Sequence, residues 1–230
     1  MSNVSFLRHG AFFGPEDAQD IVFNIIGVGA TGSWAGLLAA KMGWHKFCIW
    51  DADIVESHNC SNQIYDLSHV GTKKVDAFEE VLKRFNPAIQ IEKHDYFFTS
   101  ELHADHLEDA VFVAVDTLSA RKDILECAKG NVLIDILFET KIGFNHAELN
   151  SIDPSNEILL DKWISLLKTD EEVQESPCNE RIITTLVAIV ASNLAHLLCA
   201  YYSSARKTET FKTNSKTIFT LTNNLTTYNP

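Results

Sequence analysis

The most constraining feature of this sequence is the segment Gly27-Val28-Gly29-Ala30-Thr31-Gly32, which directly follows the apolar run IVFNII at residues 21–26. A short, mostly β-branched run closed by glycine predicts a buried strand, and residues 32–42 carry a helical pattern. In such a turn Gly27 allows the tight bend, Gly29 lets the backbone approach an anion, and Gly32 lets the helix pack on the strand. The helix N-terminus would offer unpaired N–H groups to a phosphate. The segment therefore predicts a phosphate-binding turn, with a purely structural turn as the alternative.

Short apolar runs alternate with helical patterns as far as residue 137. Predicted strands occupy residues 47–50, 89–91, 110–115 and 132–137, and helical patterns occupy 73–85 and 121–129. Alternating strands and helices require crossover connections and favour a parallel sheet. We therefore predict an α/β fold with a Rossmann-like, mostly parallel sheet and helices on both faces, in one domain over residues 1–230.

The pattern changes after Pro154. Residues 155–178 join a short amphipathic stretch to the acidic run DEEVQE, and we expect them to form an exposed crossover loop. Residues 183–202 predict a strong helix. Residues 206–230 contain the alternating segment TIFTLT and predict a strand or hairpin extension.

Composition narrows the possible partners. The chain has 19 Lys and Arg against 31 Asp and Glu, a formal net charge of −12, and no basic cluster, which argues against long nucleic acid as a partner. The longest apolar stretch, residues 186–198, is interrupted by polar residues and is too short to span a bilayer. No signal-peptide pattern is apparent at the N-terminus. We expect a cytoplasmic protein that does not bind membranes.

The five cysteines are Cys48, Cys60, Cys127, Cys178 and Cys199. Their odd number and wide spacing argue against a disulfide framework. Because there is no C-x-x-C pair, a tetracysteine zinc site is excluded, and we expect no structural zinc.

Asp51 follows Gly32 by 19 residues, at the end of the second predicted strand, where a carboxylate could accept hydrogen bonds from ribose hydroxyls. Up to this point the pattern also suits a nicotinamide-dependent dehydrogenase. The run D-A-D-I-V-E-S-H-N-C-S-N-Q from Asp51, followed by V-G-T-K-K, distinguishes the two. It resembles the ThiF, MoeB and ubiquitin-activating superfamily, whose pattern is D-x-D-x-V-x-x-S-N-L-N-R-Q followed by G-x-x-K. The matching residues are Asp51, Asp53, Val55, Asn59, Gln63, Gly71 and Lys74.

A second segment, V-A-V-D-T-L-S-A-R, is similar to the superfamily's D-n-x-x-x-R at Asp116 and Arg121. The resemblance implies a ThiF-type adenylation domain that uses ATP and Mg²⁺. Its substrate would be the C-terminal glycine carboxylate of a small ubiquitin-like, β-grasp protein, and the chain would form a homodimer. Lys74 would hold the phosphates, Asp116 would hold Mg²⁺, and Asn59 and Gln63 would supply neutral hydrogen bonds.

Asn62 departs from the superfamily pattern, which has arginine at this position. A neutral amide therefore replaces a cation aimed at phosphate. Phosphate binding or transition-state stabilisation should be weaker unless Lys73, Arg8 or another basic group compensates. Two alternatives therefore stay open beside the activating enzyme. One is a nucleotide-binding scaffold or regulatory subunit with weak catalysis, and the other is a ThiF-like enzyme that adenylates a non-protein substrate.

Two further residues are candidates through the resemblance alone. Cys178 begins C-N-E-R-I-I-T-T, which resembles the C-x-x-x-[LI]-x-T-T segment of small, non-canonical activating enzymes, where the cysteine forms a thioester. A non-catalytic loop cysteine is the alternative. Arg8, with Phe13 and Gly14, resembles the superfamily's N-terminal segment, in which an arginine can reach the nucleotide of the neighbouring subunit.

Overall fold

The predicted strands assemble into one sheet. The computed structural model describes residues 4–143, 145–167, 184–203, 215–221 and 225–228. The strands in these residues run in the order β3-β2-β1-β4-β5-β6-β7-β8 across the sheet. In chain order they are β1 (Phe23–Ile26), β2 (Lys46–Trp50), β3 (Gln90–His94), β4 (Asp109–Val113), β5 (Ile134–Ile142), β6 (His146–Ile152), β7 (Ser215–Leu221) and β8 (Leu225–Tyr228).

The first five strands are parallel and the last three add on antiparallel. Strand order reverses between β1 and β4, and ligands of open α/β sheets bind beyond the carboxyl ends of the strands at such a point. The glycine segment follows β1, and Asp116 follows β4. The predicted Rossmann-like, mostly parallel α/β fold is confirmed.

Helices cover both faces of the sheet. They are α1 (Ala30–Met42), α2 (Lys74–Phe85), α3 (Ser100–His103), α4 (Leu118–Ala128), α5 (Glu157–Ser165) and α6 (Thr184–Tyr202). One core cluster holds the apolar residues of α1, α2 and α6 against Phe23 and Ile25 of β1. The other joins α4 and α5 to Ile26, because successive strand residues point to opposite faces. The sheet therefore lies between two apolar layers that fix the ends of its strands.

Helix α6 is long and apolar enough, by length and composition, to cross a membrane. Half of it is buried inside the protein, where it packs against α1 and strands of the sheet. Its buried residues, among them Leu186, Val190 and Leu194, belong to the first core cluster. The apolar composition of α6 is thus explained by its place in the core.

Two segments differ from the sequence-based expectation. Strand β6 was not predicted, because its polar residues obscure the alternation; buried Asn150 is accommodated there by a 2.6 Å hydrogen bond from its Nδ2 to Glu139 Oε2. Residues 155–178 were expected to form an exposed crossover loop. In the first half of that range the structure has instead α5, which buries Leu160 and Ile164 beside α4. Residues 168–183 lie outside the described residues.

Candidate active site

Two of the three glycines of the loop, Gly27 and Gly32, occupy positions that exclude a side chain, whereas Gly29 faces open space. Gly27 has φ of 97°, and a Cβ there would lie 2.7 Å from the carbonyl oxygen of Ala114. A Cβ on Gly32 would overlap the carbonyl oxygen of Gly27, so the third glycine permits α1 to pack on β1. A Cβ on Gly29 would meet no heavy atom within 4 Å among the described residues. The space above Gly29 is therefore open to a ligand.

The N-terminus of α1 faces that open space. The helix begins at Ala30, and its first backbone hydrogen bond is from Ser33 N–H to Gly29 C=O, at 3.0 Å. Helical geometry leaves the preceding N–H groups, at Ala30, Thr31 and Gly32, without an acceptor inside the helix. Unpaired N–H groups and the positive end of the helix dipole suit a phosphate.

Two side chains fix the backbone of Val28 at the centre of the loop. Asp51 Oδ2 accepts from Val28 N–H at 2.9 Å, and the Tyr65 hydroxyl donates to Val28 C=O at 2.7 Å. The same hydroxyl lies 3.4 Å from Lys74 C=O, so it connects the loop to the start of α2. Tyr65 was not among the predicted site residues, because only the fold brings it under the glycine loop.

Asp51 is buried, and its second oxygen, Oδ1, accepts from Asp53 N–H at 3.0 Å. Burial raises the pKa of Asp51, while the nearby Lys74 ammonium and the two backbone N–H donors oppose that rise. Each carboxylate oxygen can accept a second hydrogen bond. The predicted role of Asp51 as a ribose acceptor therefore stays a prediction, beside its observed role in holding the loop.

Lys74 is a nearly buried cation at the first position of α2. Its Nζ lies 2.6 Å from Asp53 Oδ2 and 4.0 Å from Asp51 Oδ1. The Asp53 side chain is 55% exposed whereas that of Lys74 is 9% exposed, so the ion pair is open to solvent on the Asp53 side. An ammonium has three donors, and the Asp53 ion pair leaves capacity for a second anion.

The three amide residues of the motif lie together on and after the 3₁₀ helix Ser57–Ser61. Asn59 is buried and its Oδ1 accepts from Glu56 N–H at 2.8 Å, so at least its oxygen stabilises the turn. Asn62 is held through its C=O, which accepts from Trp34 Nε1 at 3.1 Å. The side-chain oxygens of Asn62 and Gln63 are buried without a hydrogen-bond partner among the described residues. Buried oxygens normally accept a hydrogen bond, and a ligand or a water molecule can supply the donor here.

Asp116 is exposed just beyond the carboxyl end of β4, beside the glycine loop that follows the neighbouring strand β1. The N-cap of α4 is Thr117, so Asp116 precedes the helix by one residue more than the cap does. Its carboxylate is exposed and thus accessible to a cation.

A buried ion pair supports the Asp116 loop. The guanidinium of Arg121 pairs with buried Glu139 and donates to the C=O of Val115 and of Thr140, each at 2.6 Å. Asn150 donates to the other oxygen of Glu139. Arg121, which matches the family motif, therefore acts as a positioning residue that connects α4, β5 and β6 to the residue before Asp116.

Arg8 and Cys178 are not placed at this site. Arg8 is exposed, and the nearby Phe6 lines a cavity with Gly43 and His45, which precede β2. That cavity is at the amino ends of the strands, opposite the glycine loop, so a role for Arg8 requires another subunit. Cys178 lies outside the described residues.

A cavity of about 330 Å³ begins beside the Asp116 loop, at Leu118. The ammonium groups of Lys141 and Lys216 lie 5.3 and 5.5 Å from the ring centre of Trp163, which also lines the cavity. Lys216 is paired with Glu148 at 2.8 Å. These residues come from β5, β6, β7 and α5, so sequence spacing gave no signal of the cavity.

The amino-acid sequence is similar to those of known ubiquitin-like modifier-activating enzymes. Ubiquitin-like modifier-activating enzyme 5 of Gallus gallus is 32% identical over 108 residues, covering 47% of this chain and 27% of that protein. The protein of the same name from Caenorhabditis briggsae is 27% identical over 164 residues, covering 70% of this chain and 35% of that protein. The matched region thus spans about a quarter to a third of these curated relatives.

Solved structures share the fold at low identity. PaaA matches with a TM-score of 0.72 and 17% identity, over 94% of this chain and 65% of that chain. Escherichia coli MccB, solved with ATP, matches with a TM-score of 0.70 and 14% identity over the same shares. The E. coli tRNA N6-threonylcarbamoyladenosine dehydratase TcdA matches with a TM-score of 0.59 and 20% identity, over 84% of this chain and 95% of that chain.

The sequence profile of the ThiF family covers residues 10–230, which includes the glycine loop, the Asp51–Lys74 region and Asp116. This match extends over nearly the whole chain and agrees with the sheet order and the site geometry. The chain belongs to the ThiF family.

Proposed function

We propose that this protein is an ATP-dependent adenylyltransferase that activates the C-terminal carboxylate of a small ubiquitin-like protein. The observation that carries the proposal is the convergence of three features at the carboxyl ends of the parallel strands. These are the open N-terminus of α1, the buried Lys74 ammonium and the exposed Asp116 carboxylate. The family and the names of the sequence relatives support the same chemistry.

The residues present fit Mg²⁺ and ATP. The space above Gly29 is free of the described side chains, and the buried oxygens of Asn62 and Gln63 lack donors. Asp116 offers an oxygen ligand of the kind that Mg²⁺ prefers. Bound ATP supplies an α-phosphate to which the substrate carboxylate bonds as pyrophosphate leaves, and Mg²⁺ neutralises the phosphate charge.

The protein's contribution is to position these groups and to stabilise negative charge. The N–H groups at the start of α1 would bind phosphate oxygens, and the loop that carries them is held by Asp51 and Tyr65. Lys74 would donate to phosphate while keeping its bond to Asp53, because an ammonium carries three N–H donors. Fixed donors of this kind need no reorganisation during the reaction, which is how such sites lower a barrier.

The cavity between Leu118 and Trp163 is our candidate for the path of the substrate's C-terminal segment. It is lined by Leu118, two residues after Asp116, and by two lysines whose ammonium groups would attract a carboxylate. A homodimer would bring Arg8 of a second copy to this edge, and Cys178 would accept the activated carboxyl group as a thioester.

Two observations favour other readings of the same site. Asn62 places a neutral amide where the superfamily has a cation, and its side-chain oxygen has no hydrogen-bond partner among the described residues, which favours a nucleotide-binding scaffold. The structural neighbours are MccB, solved with MccA, and a tRNA N6-threonylcarbamoyladenosine dehydratase, which favours a different substrate. The net charge of −12 argues against tRNA for this chain.

Exchange of radiolabelled pyrophosphate into ATP tests the proposal. With a small β-grasp protein ending in glycine, the wild type should catalyse exchange, and Asp116→Ala should abolish it. Asp105→Ala, which removes another exposed carboxylate, is the matched control and should retain full exchange. Binding of ATP without exchange for any such protein would favour the scaffold, and Asn62→Arg should then restore activity. Tight binding of NAD without ATP would overturn the nucleotide assignment.

The thioester step is tested separately. Cys178→Ala should retain pyrophosphate exchange but lose a reducing-agent-sensitive adduct with the substrate protein. Cys48→Ala, Cys127→Ala and Cys199→Ala should keep the adduct. An adduct that survives Cys178→Ala would move the nucleophile elsewhere, with Cys60 next because it lies within the nucleotide motif.

A further inference from the structure

Three possible metal ligands meet at the free edge of the parallel half of the sheet. Cys48 on β2 pairs in register with Glu92 on β3, and His94 follows two residues later. Residues two apart on a strand point to the same face, so all three side chains project from one side of the sheet. Their ligand atoms lie within 4.8 Å of one another, with Cys48 and His94 buried and Glu92 exposed.

Two of the three distances between these atoms are close to the edges of a tetrahedral site. His94 Nε2 lies 3.4 Å from Cys48 Sγ and 3.1 Å from Glu92 Oε1. Tetrahedral zinc, with Zn–S of about 2.3 Å and Zn–N and Zn–O of about 2.0–2.2 Å, separates its ligand atoms by roughly 3.3–3.6 Å. The third distance, between the ligand atoms of Cys48 and Glu92, is within 4.8 Å, and the exposed Glu92 side chain can rotate to close it.

A second partner already orients His94. Its other ring nitrogen, Nδ1, lies 2.7 Å from the Tyr96 hydroxyl, and its ring stacks on Trp50 with centroids 4.6 Å apart. Metal-ligating histidines commonly bond through their second nitrogen in this way, which fixes both the tautomer and the ring plane. In the tautomer whose Nδ1 donates to Tyr96, Nε2 carries a lone pair, and this nitrogen lies within 3.4 Å of both the sulfur and the carboxylate.

We propose that Cys48, Glu92 and His94 form a zinc-binding site, separate from the nucleotide site. One thiolate, one carboxylate and one neutral imidazole balance the charge of a divalent ion and suit zinc in both donor type and geometry. The exposed carboxylate of Glu92 gives the ion access from solvent. Water, or His106, whose ring centroid is 5.9 Å from that of His94, would complete the coordination.

Cys48 is a buried thiol, and a bound metal ion would replace its proton and hold it as a thiolate. The expectation of no structural zinc rested on the missing C-x-x-C pair, and a site assembled across two strands has no such local spacing.

The site would strengthen the sheet edge. It would link edge strand β3 to β2 beyond their backbone hydrogen bonds, at the end where His94 C=O accepts from Asp51 N–H at 3.1 Å. Because zinc would bind the folded state and not the separated strands, it should raise the unfolding temperature.

Cobalt(II) is a direct probe of the site. Protein stripped with chelator should bind one equivalent of Co²⁺ and develop the visible bands of a tetrahedral ion together with a near-ultraviolet thiolate-to-cobalt band. One equivalent of Zn²⁺ should remove both signals. Cys48→Ser should abolish the near-ultraviolet band, and Glu92→Gln and His94→Gln should weaken Zn²⁺ binding at least about tenfold by calorimetry.

Cys60→Ser is the matched control, because it removes a half-exposed thiol elsewhere and should leave the cobalt spectrum unchanged. Glu92→Gln alters an exposed side chain, so its effect is measurable even if the buried Cys48→Ser variant folds poorly. Absence of a thiolate band in the wild type would overturn the proposal. So would a band that persists in Cys48→Ser, or Zn²⁺ affinity unchanged in Glu92→Gln.

Discussion

At the scale of single residues, Tyr65 and Asp51 hold the two backbone groups of Val28 from opposite sides. Tyr65→Phe removes only the hydroxyl and leaves the buried C=O of Val28 without its donor. We expect a loss of about 1–2 kcal/mol in the free energy of unfolding, measured with denaturant, and weaker ATP binding by calorimetry. Tyr201→Phe, which removes an exposed hydroxyl on α6 that donates to Asp135 C=O at 3.2 Å, should cost less stability and leave ATP binding unchanged. Equal losses in both variants would contradict a specific role for Tyr65.

Asp51 gives a pH-dependent prediction. Its pKa in the folded protein is raised above the ordinary 3.8, chiefly by burial. Between 3.8 and that higher value the folded state binds more protons than the unfolded state, so this group lowers stability as pH rises through the interval. Asp51→Asn removes the titration and should flatten that part of the stability curve while weakening nucleotide binding. A curve as steep as that of the wild type would rule out Asp51 as its source.

At the scale of elements, two glycines of the loop have different roles: Gly32 allows α1 to pack on β1, and Gly29 leaves space for a ligand. Gly32→Ala places a methyl group against the backbone oxygen of Gly27, where α1 meets β1, and should cost about 1–3 kcal/mol of stability. Gly29→Ala places the same group in open space at a negative φ, and should change stability by less than about 0.5 kcal/mol. Its methyl would instead obstruct phosphate.

Denaturant unfolding and ATP calorimetry on both variants test this division. Gly29→Ala should show near-normal stability with reduced ATP affinity, whereas Gly32→Ala should be less stable. Unchanged ATP affinity in Gly29→Ala would mean that phosphate does not approach the loop there.

Arg121 connects α4 to β5 and β6 through Glu139 and Asn150. Arg121→Met leaves the carboxylate of Glu139 buried without its cation, so we expect a loss of about 3–5 kcal/mol in the free energy of unfolding. The double variant Arg121→Met with Glu139→Gln removes the stranded charge and should recover part of that loss. A double variant no more stable than the single one would show that the charge is not the main cost.

At the scale of the whole molecule, the proposed homodimer makes a complementation test possible. Arg8→Ala and Asp116→Ala should each be inactive in pyrophosphate exchange if every site uses its own Asp116 and the partner's Arg8. Mixing the two after subunit exchange should restore roughly a quarter of wild-type activity, since half the dimers are mixed and each mixed dimer has one intact site. No recovery in a confirmed mixed dimer would place Arg8 outside the site.

The local features of the site could be read from the sequence. The glycine loop and Asp51 directly follow strands, Asp116 lies three residues after the end of β4, and parallel strands bring their carboxyl ends to the same side of the sheet. Helices α1, α2 and α6 and the first five strands followed from apolar periodicity, because that pattern is set by residues close in the chain. Strand β6 did not, because its buried Asn150 is polar and its amide N–H finds an acceptor in Glu139 on the neighbouring strand.

What the sequence determined by itself is therefore the strand–loop–helix order and the chemistry placed at each strand end, because backbone periodicity and turn geometry act over a few residues. Only the tertiary structure decided which distant side chains meet: Tyr65 beneath Val28, Arg121 against Glu139, and Cys48 beside His94. Those contacts join residues 18 to 46 positions apart. Strand order and register bring them together, and a local pattern does not encode a distance across the sheet.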